Sequence, residues 1–266
     1  MRSANRILHI ALDLDLLLLN SKYPGVSIRR SAKFLRKLVG PLRGRVLHHA
    51  IRLDRIRAGR WLSSVRELEE IYTEYLQQSQ FAGVEVSDYT RLYKAIRTCK
   101  PSTVLECGTG LSTTAIAVAL KHNAEEHGIA GHLISMEEDP RWFEEARTLL
   151  PDHLSDYVEV ILSPKVEREH QGLRGVCYQC IPEGHYDFVF VDGPTEHSSV
   201  TGEKLFDMDL IFVAERNPSV QGFIDHRLNT IRCLRLALEE THFVFYNPIT
   251  KLGYVCPKTK GGWNGL

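Results

Sequence analysis

Eleven residues, Val104-Leu-Glu-Cys-Gly-Thr-Gly-Leu-Ser-Thr-Thr114, restrict this chain more than any other stretch. An apolar run that follows Pro101 and ends in two glycines predicts a buried strand. From Ser112 onward, Ala115, Ile116, Ala117, Val118 and Leu120 predict a helix. A strand, a Gly-rich turn and a helix build a nucleotide-type site, because the glycines let the backbone approach a ligand and the helix N-terminus offers free N–H groups. Glu106 decides what kind of ligand. Two residues before Gly108, its carboxylate would repel a dinucleotide pyrophosphate and would suit a cationic ligand. Thr113 also occupies the place of the third glycine of a dinucleotide fingerprint.

S-adenosylmethionine, which has no phosphate and carries an ammonium and a sulfonium, therefore fits the turn better than NAD. At 266 residues and 43% hydrophobic, the chain can bury a full α/β core. Its zero net charge hides a split. Up to Arg66 there are fifteen basic residues against three acidic ones, a net +12 that the remainder balances with −12. A basic arm on an acidic body points to an anionic contact such as a membrane surface, or to packing of the arm on its own body or in a homodimer. The six cysteines are sparse and mostly sit in apolar runs, as reduced cytoplasmic thiols do. Cys177 and Cys180, with His170 and His185 nearby, have the spacing of a zinc knuckle, but a lone CxxC reads better as a turn. The apolar run Ile7 to Leu19 is thirteen residues long, short of the ~20 that span a bilayer, and Asp13 and Asp15 interrupt it. The expectation is a cytoplasmic protein, with peripheral membrane contact as an alternative for the arm.

Along the arm, Ser27 is placed to cap a basic amphipathic helix with Ile28, Ala32, Leu35, Leu38 and Val39 on one face, ending at Gly40-Pro41. A second helical stretch from Arg43 to Ala58 is expected to break at Gly59. Ser64-Val-Arg-Glu67 has capping-box form for a third, and Ser87 is placed to cap a fourth. After the central turn, strands are predicted over 132–137, 157–162, 187–191 and 222–225. Helices are predicted from Pro140, with Asp139 as cap, and over 229–238, and an irregular crossover or small hairpin lies between Ser163 and Glu183. Two β runs at 242–246 and 253–256 close the chain as a hairpin. The fold expected is α/β, a Rossmann-like parallel sheet with a C-terminal antiparallel hairpin (87–266), preceded by a helical basic extension (1–86). Glu106, Glu137, Asp192 and Asp225 then fall at strand ends on one rim, where such sheets bind ligands.

These motifs resemble those of class I S-adenosylmethionine-dependent methyltransferases. The resemblance rests on Val104 to Ser112, Ile134-Ser-Met-Glu-Glu-Asp-Pro140 and Tyr186-Asp-Phe-Val-Phe-Val-Asp-Gly193, in the family order. It implies cofactor contacts from Glu106, Gly108, Gly110 and Ser112 at the methionine end, Glu137 at the ribose hydroxyls and Ser163 at adenine. Asp192 would face the methyl donor. Some O-methyltransferases of this fold hold a divalent cation on an Asp after strand four and an Asp-Asn pair after strand five. Here Asp192 matches, but Asp225-His226 replaces the pair. Mg²⁺ on Asp192 and Asp225 is one reading, and His226 as general base is another. The expected reaction is methylation, in the first instance of an oxygen, on a small-molecule or glycan-type acceptor. The alternatives are a non-catalytic protein of the same fold whose arm binds a membrane or partner, and an NAD-dependent oxidoreductase. Nucleic acid is not expected as acceptor, because the body is acidic and Asp192-Gly-Pro stands where base-methylating enzymes carry an Asn-Pro-Pro-Tyr-like motif.

Overall fold

The computed structural model describes residues 26–79 and 85–258, with side chains from residue 44 onward. By compactness the chain divides between Leu53 and Asp54. The described part of the first unit belongs to one helix, α1 (Val26–Leu62), whose last turns lie in the second unit. Gly40-Pro41 and Gly59 do not break it as expected. An interior proline removes one backbone hydrogen bond and costs ~3 kcal/mol, and a glycine ~1 kcal/mol, which a helix of 37 residues rich in Leu and Arg can carry. The expected face of Ile28 to Val39 and the apolar run Ile7 to Leu19 lie outside the described side chains.

The body begins earlier than residue 87. Ala58 and Leu62, then Leu68, Ile71 and Tyr75 of α2 (Arg66–Gln78), are all buried. Ser64 does not cap α2. Its hydroxyl donates to the Trp61 carbonyl at 2.6 Å, and Glu67 accepts from Lys121 and pairs with His122 and His153 instead of closing a capping box. Helix α3 (Val86–Cys99) starts one residue before Ser87, so Ser87 lies buried in the first turn rather than at the cap.

From there strands and helices alternate: β1 (Thr103–Cys107), α4 (Leu111–His127), β2 (His132–Glu137), α5 (Pro140–Leu149) and β3 (Val158–Leu162). Asp139 caps α5 as expected, accepting from Arg141 N at 2.8 Å. A hairpin, β4 (Lys165–His170) and β5 (Leu173–Tyr178), fills the irregular crossover. After β6 (Phe188–Val191) comes α6 (Asp209–Arg216), which the sequence reading did not predict. Then follow β7 (Gln221–Ile224), α7 (Leu228–Ala237), β8 (His242–Tyr246) and β9 (Gly253–Pro257).

The seven-stranded sheet has the order β3-β2-β1-β6-β7-β9-β8, parallel except for β9, which inserts antiparallel between β7 and β8. Successive strand residues point to opposite faces, and both faces are covered. Val104, Leu133 and Phe188 pack under α2 to α4, while Leu105, Met136 and Val189 pack against α6 and α7. The order reverses between β1 and β6, and a ligand cleft belongs at that switch point.

Candidate active site

Hydrogen bonds continue the ladder one residue past each central strand and so fix where the rim begins. Gly108 N donates to Met136 O at 2.9 Å, Asp192 N to Cys107 O at 2.7 Å, and Asp225 N to Val191 O at 2.9 Å. The turns after β1 and β6 touch back to back. Gly108 has φ +96°, and a Cβ there would lie 2.7 Å from Gly193 N, so both the backbone conformation and the close approach require glycine. Around this junction opens a cavity of about 760 Å³, within the range of ~300–1,000 Å³ usual for small-molecule sites.

Glu106 does not line that cavity. The period of two places it on the same face of β1 as Val104, beneath the start of α4, where it is 0% exposed. Its Oε2 accepts from the Thr113 and Ser135 hydroxyls, each at 2.6 Å, and its buried Oε1 has no partner among the described residues. Burial pushes its pKa up to about 7, against the Ser112, Ser135 and Thr113 hydroxyls nearby, which favour the charged form. Thr113 Oγ1 also accepts from Gly110 N at 3.0 Å. The residue in the third-glycine position therefore ties the turn to the acid beneath it.

Gly110 and Ser112 do line the cavity, and a Cβ added at Gly110 would meet nothing within 4 Å, so the turn leaves a cradle that a side chain would fill. Glu137 stands on the same wall, 7% exposed. Its Oε2 accepts from Thr109 N and Oγ1 at 3.2 and 3.1 Å, and its Oε1 from Glu138 N and Asp139 N at 2.7 and 2.9 Å. Ser163 does not reach the cavity. Its hydroxyl is engaged with the backbone of Cys180, accepting from the N–H at 3.3 Å and donating to the carbonyl at 3.4 Å.

Asp192 and Asp225, just past the ends of β6 and β7, line the cavity together with Arg227. Asp192 is 41% accessible, opening onto the cavity, yet its depth in the protein pushes its pKa up to about 8, with the Asp225 carboxylate adding to the rise and Arg227 opposing it. His226 points elsewhere. Its ring is exposed, takes a hydrogen bond with Tyr246 Oη at 2.9 Å, stacks on that ring, and is absent from the cavity wall, which removes it as a candidate base.

Three further residues on the wall were not picked out from sequence: Trp142 on α5, Asp88 on α3 and Arg227 at the start of α7. Asp88 has a buried Oδ1 without a partner among the described residues, and burial, then Asp225, push its pKa to about 7. Nothing in the local sequence around Asp88 marks it. Arg227 could have been noticed as the basic residue two places beyond a rim acid.

A divalent cation does not fit these residues. A hard cation takes six or more oxygen ligands, and after β7 the ligand position next to Asp225 carries the averted His226. The Arg227 guanidinium, 3.7 Å from Asp192 Oδ1, already provides a positive charge where the cation would stand. Among the described residues no group of three or more His, Cys, Asp and Glu side chains is set to hold a metal, the Cys177 and Cys180 region included.

Residues 105–209 match a family described as a methyltransferase domain. No curated protein matches the chain. Among solved structures, a methyltransferase from Geobacter sulfurreducens is 16% identical with a TM-score of 0.46, covering 75% of this chain and 95% of that one. The SAH-bound Podospora anserina methyltransferase PaMTH1 is 14% identical at 0.49, covering 76% and 94%. An O-methyltransferase from Bacillus cereus in complex with SAH is 16% identical at 0.45, covering 75% and 96%.

Proposed function

We infer that this chain is a class I S-adenosylmethionine-dependent methyltransferase, matched to that domain family over residues 105–209, and that it methylates a hydroxyl oxygen on a small-molecule or glycan-type acceptor. One observation carries the reading: a single switch-point cavity is lined by the open Gly110 cradle and Glu137 from the ends of β1 and β2, and by Asp192, Asp225 and Arg227 from the ends of β6 and β7. S-adenosylmethionine supplies an electrophilic methyl group when bound. The backbone of Gly108 and Gly110, with Ser112, would hold its methionine end. Glu137 would take a ribose hydroxyl by releasing the Thr109 hydroxyl from Oε2. Glu106 supports this wall from beneath through Thr113 rather than by contact. Asp192, in the ionised form that dominates above its raised pKa of about 8, would accept the proton of the acceptor hydroxyl, which leaves the oxygen free to attack. The dinucleotide reading finds no support in the matched family or in this carboxylate-lined wall.

Labelled methyl transfer into a small-molecule extract tests the function. Asp192→Ala should abolish transfer while affinity for S-adenosylhomocysteine stays within about tenfold, ~1.4 kcal/mol. Transfer at the wild-type rate in that variant would take Asp192 out of the mechanism.

For the arm we propose an anionic membrane surface as its contact, in a cytoplasmic protein. In the first unit Val46 and Leu53 are 43% and 53% exposed on α1, with Arg45 and Arg52 exposed beside them. A basic residue near such a surface contributes ~1 kcal/mol, and salt screens it. The full chain should pellet with anionic vesicles at low salt and lose this in the Arg45→Glu, Arg52→Glu variant. Pelleting that ignores both salt and the substitutions, or a salt-insensitive homodimer by sedimentation, would assign the stripe to packing instead.

A further inference from the structure

Seven carboxylates line the cavity and, among the described residues, a single basic side chain, Arg227. Its position is built rather than incidental. Arg227 is the N-cap residue of α7, two places beyond Asp225, and its side chain reaches back over the turn after β6 with 14% of its surface accessible. There Nη1 donates to Pro194 O at 2.7 Å, Nη2 donates to Asp192 O, and Nη2 lies 3.7 Å from Asp192 Oδ1. A guanidinium has five N–H groups in a rigid fork, so after the two carbonyls are served, donors remain for an oxygen in the cavity.

We propose that Arg227 is a catalytic residue that supplies the positive charge of the acceptor subsite, in place of a divalent metal. The inference rests on the methyl-transfer reading above. The acceptor hydroxyl docks between the guanidinium and the Asp192–Asp225 pair. As the O–H bond breaks, its proton passes to Asp192, and Arg227 hydrogen-bonds the oxygen on which negative charge develops. An oxygen lone pair forms the new bond to the methyl carbon, and the electron pair of the broken methyl–sulfur bond stays on sulfur. Charge balances: a sulfonium and a carboxylate become a thioether and a carboxylic acid. Metal-assisted transfer needs a cation to hold the acceptor oxygen; here a fixed guanidinium does so, in a cavity where a pre-oriented donor is worth more than in water. The loop from Asp192 to Pro194 is held by the same side chain, so a purely structural part for Arg227 is the competing account and the test separates the two.

The experiment uses the full chain saturated with S-adenosylhomocysteine and adds millimolar Mn²⁺, read by electron paramagnetic resonance. Wild type should bind no Mn²⁺ that Asp225→Asn removes, and labelled methyl transfer into a small-molecule extract should run equally in EDTA and in Mg²⁺. Arg227→Gln should lose roughly 100-fold in turnover, the scale of one lost transition-state donor, with S-adenosylhomocysteine affinity unchanged. Arg227→Lys should recover part of that rate, because charge returns without the fork. Stoichiometric Mn²⁺ bound by wild type and lost in Asp225→Asn would overturn the proposal while leaving the methyltransferase reading intact. Equal turnover in wild type and Arg227→Gln would overturn it too. Should Arg227→Gln fail to fold, the Mn²⁺ measurement on wild type still decides. Absence of S-adenosylhomocysteine binding would instead contradict the reading beneath it.

Discussion

Single carboxylates in this protein owe their chemistry to where the backbone leaves them. Asp88 lines the cavity with one oxygen buried and, among the described residues, unpartnered, so its charged form is disfavoured and its pKa sits at about 7. Because the folded state then holds the proton more firmly than the unfolded chain, this group favours folding at low pH, and the advantage is lost as pH rises from the ordinary aspartate value, ~4, through about 7. Asp88→Asn should therefore raise the melting temperature at pH 8 and leave it nearly unchanged at pH 4, with a gain of roughly 1–3 kcal/mol, the usual cost of a buried unsatisfied group. A variant destabilised equally at both pH values would mean that Asp88 makes a needed contact instead. A second residue-scale outcome concerns Gly108. Gly108→Ala places a Cβ 2.7 Å from the Gly193 backbone at a φ of +96°, and denaturant unfolding should show a loss of at least ~1 kcal/mol. Asp88 was invisible in the sequence, because no spacing rule ties a helix residue to a rim built from strands far along the chain.

At the scale of elements, the strand, turn and helix from β1 to α4 act as one hydrogen-bonded unit. Thr113 Oγ1 donates to Glu106 and accepts from Gly110 N, so the helix start, the turn and the strand end share a single hydroxyl. Thr113→Val keeps the shape and removes both bonds. Stability should fall by ~1–3 kcal/mol and the affinity for S-adenosylhomocysteine should weaken with it, since the turn loses its tether. Calorimetry and thermal unfolding on the same samples check this, and unchanged affinity would show that the turn holds itself. The sequence exposed this unit clearly, because its glycines, its acid and its helix start are contiguous. It misassigned Glu106 to the cavity, since a motif gives the residue but not the face of the strand it takes. Helix α6 went unseen for a related reason: Asp209–Arg216 is eight residues long, with an apolar run that is as compatible with a buried strand as with a helix. The breaks expected in α1 failed because glycine and proline penalties are local, while a long helix sums many favourable residues.

Across the whole molecule, the alternation of strands and helices and the closing hairpin were legible, but the place of β9 between β7 and β8 was not, since order in a sheet depends on pairings no single segment encodes. The reversal of that order between β1 and β6 gathers Gly110, Glu137, Asp192, and Asp225 with Arg227, from four separate stretches around one cavity. Isothermal titration of the full chain with S-adenosylhomocysteine, in parallel with NADH, reads out that convergence. One site for S-adenosylhomocysteine is expected, with no heat from NADH, and with loss of the site in Gly110→Val, which fills the open cradle while leaving thermal unfolding near that of the wild type. Binding of NADH in place of S-adenosylhomocysteine, or undiminished S-adenosylhomocysteine binding in Gly110→Val, would contradict it.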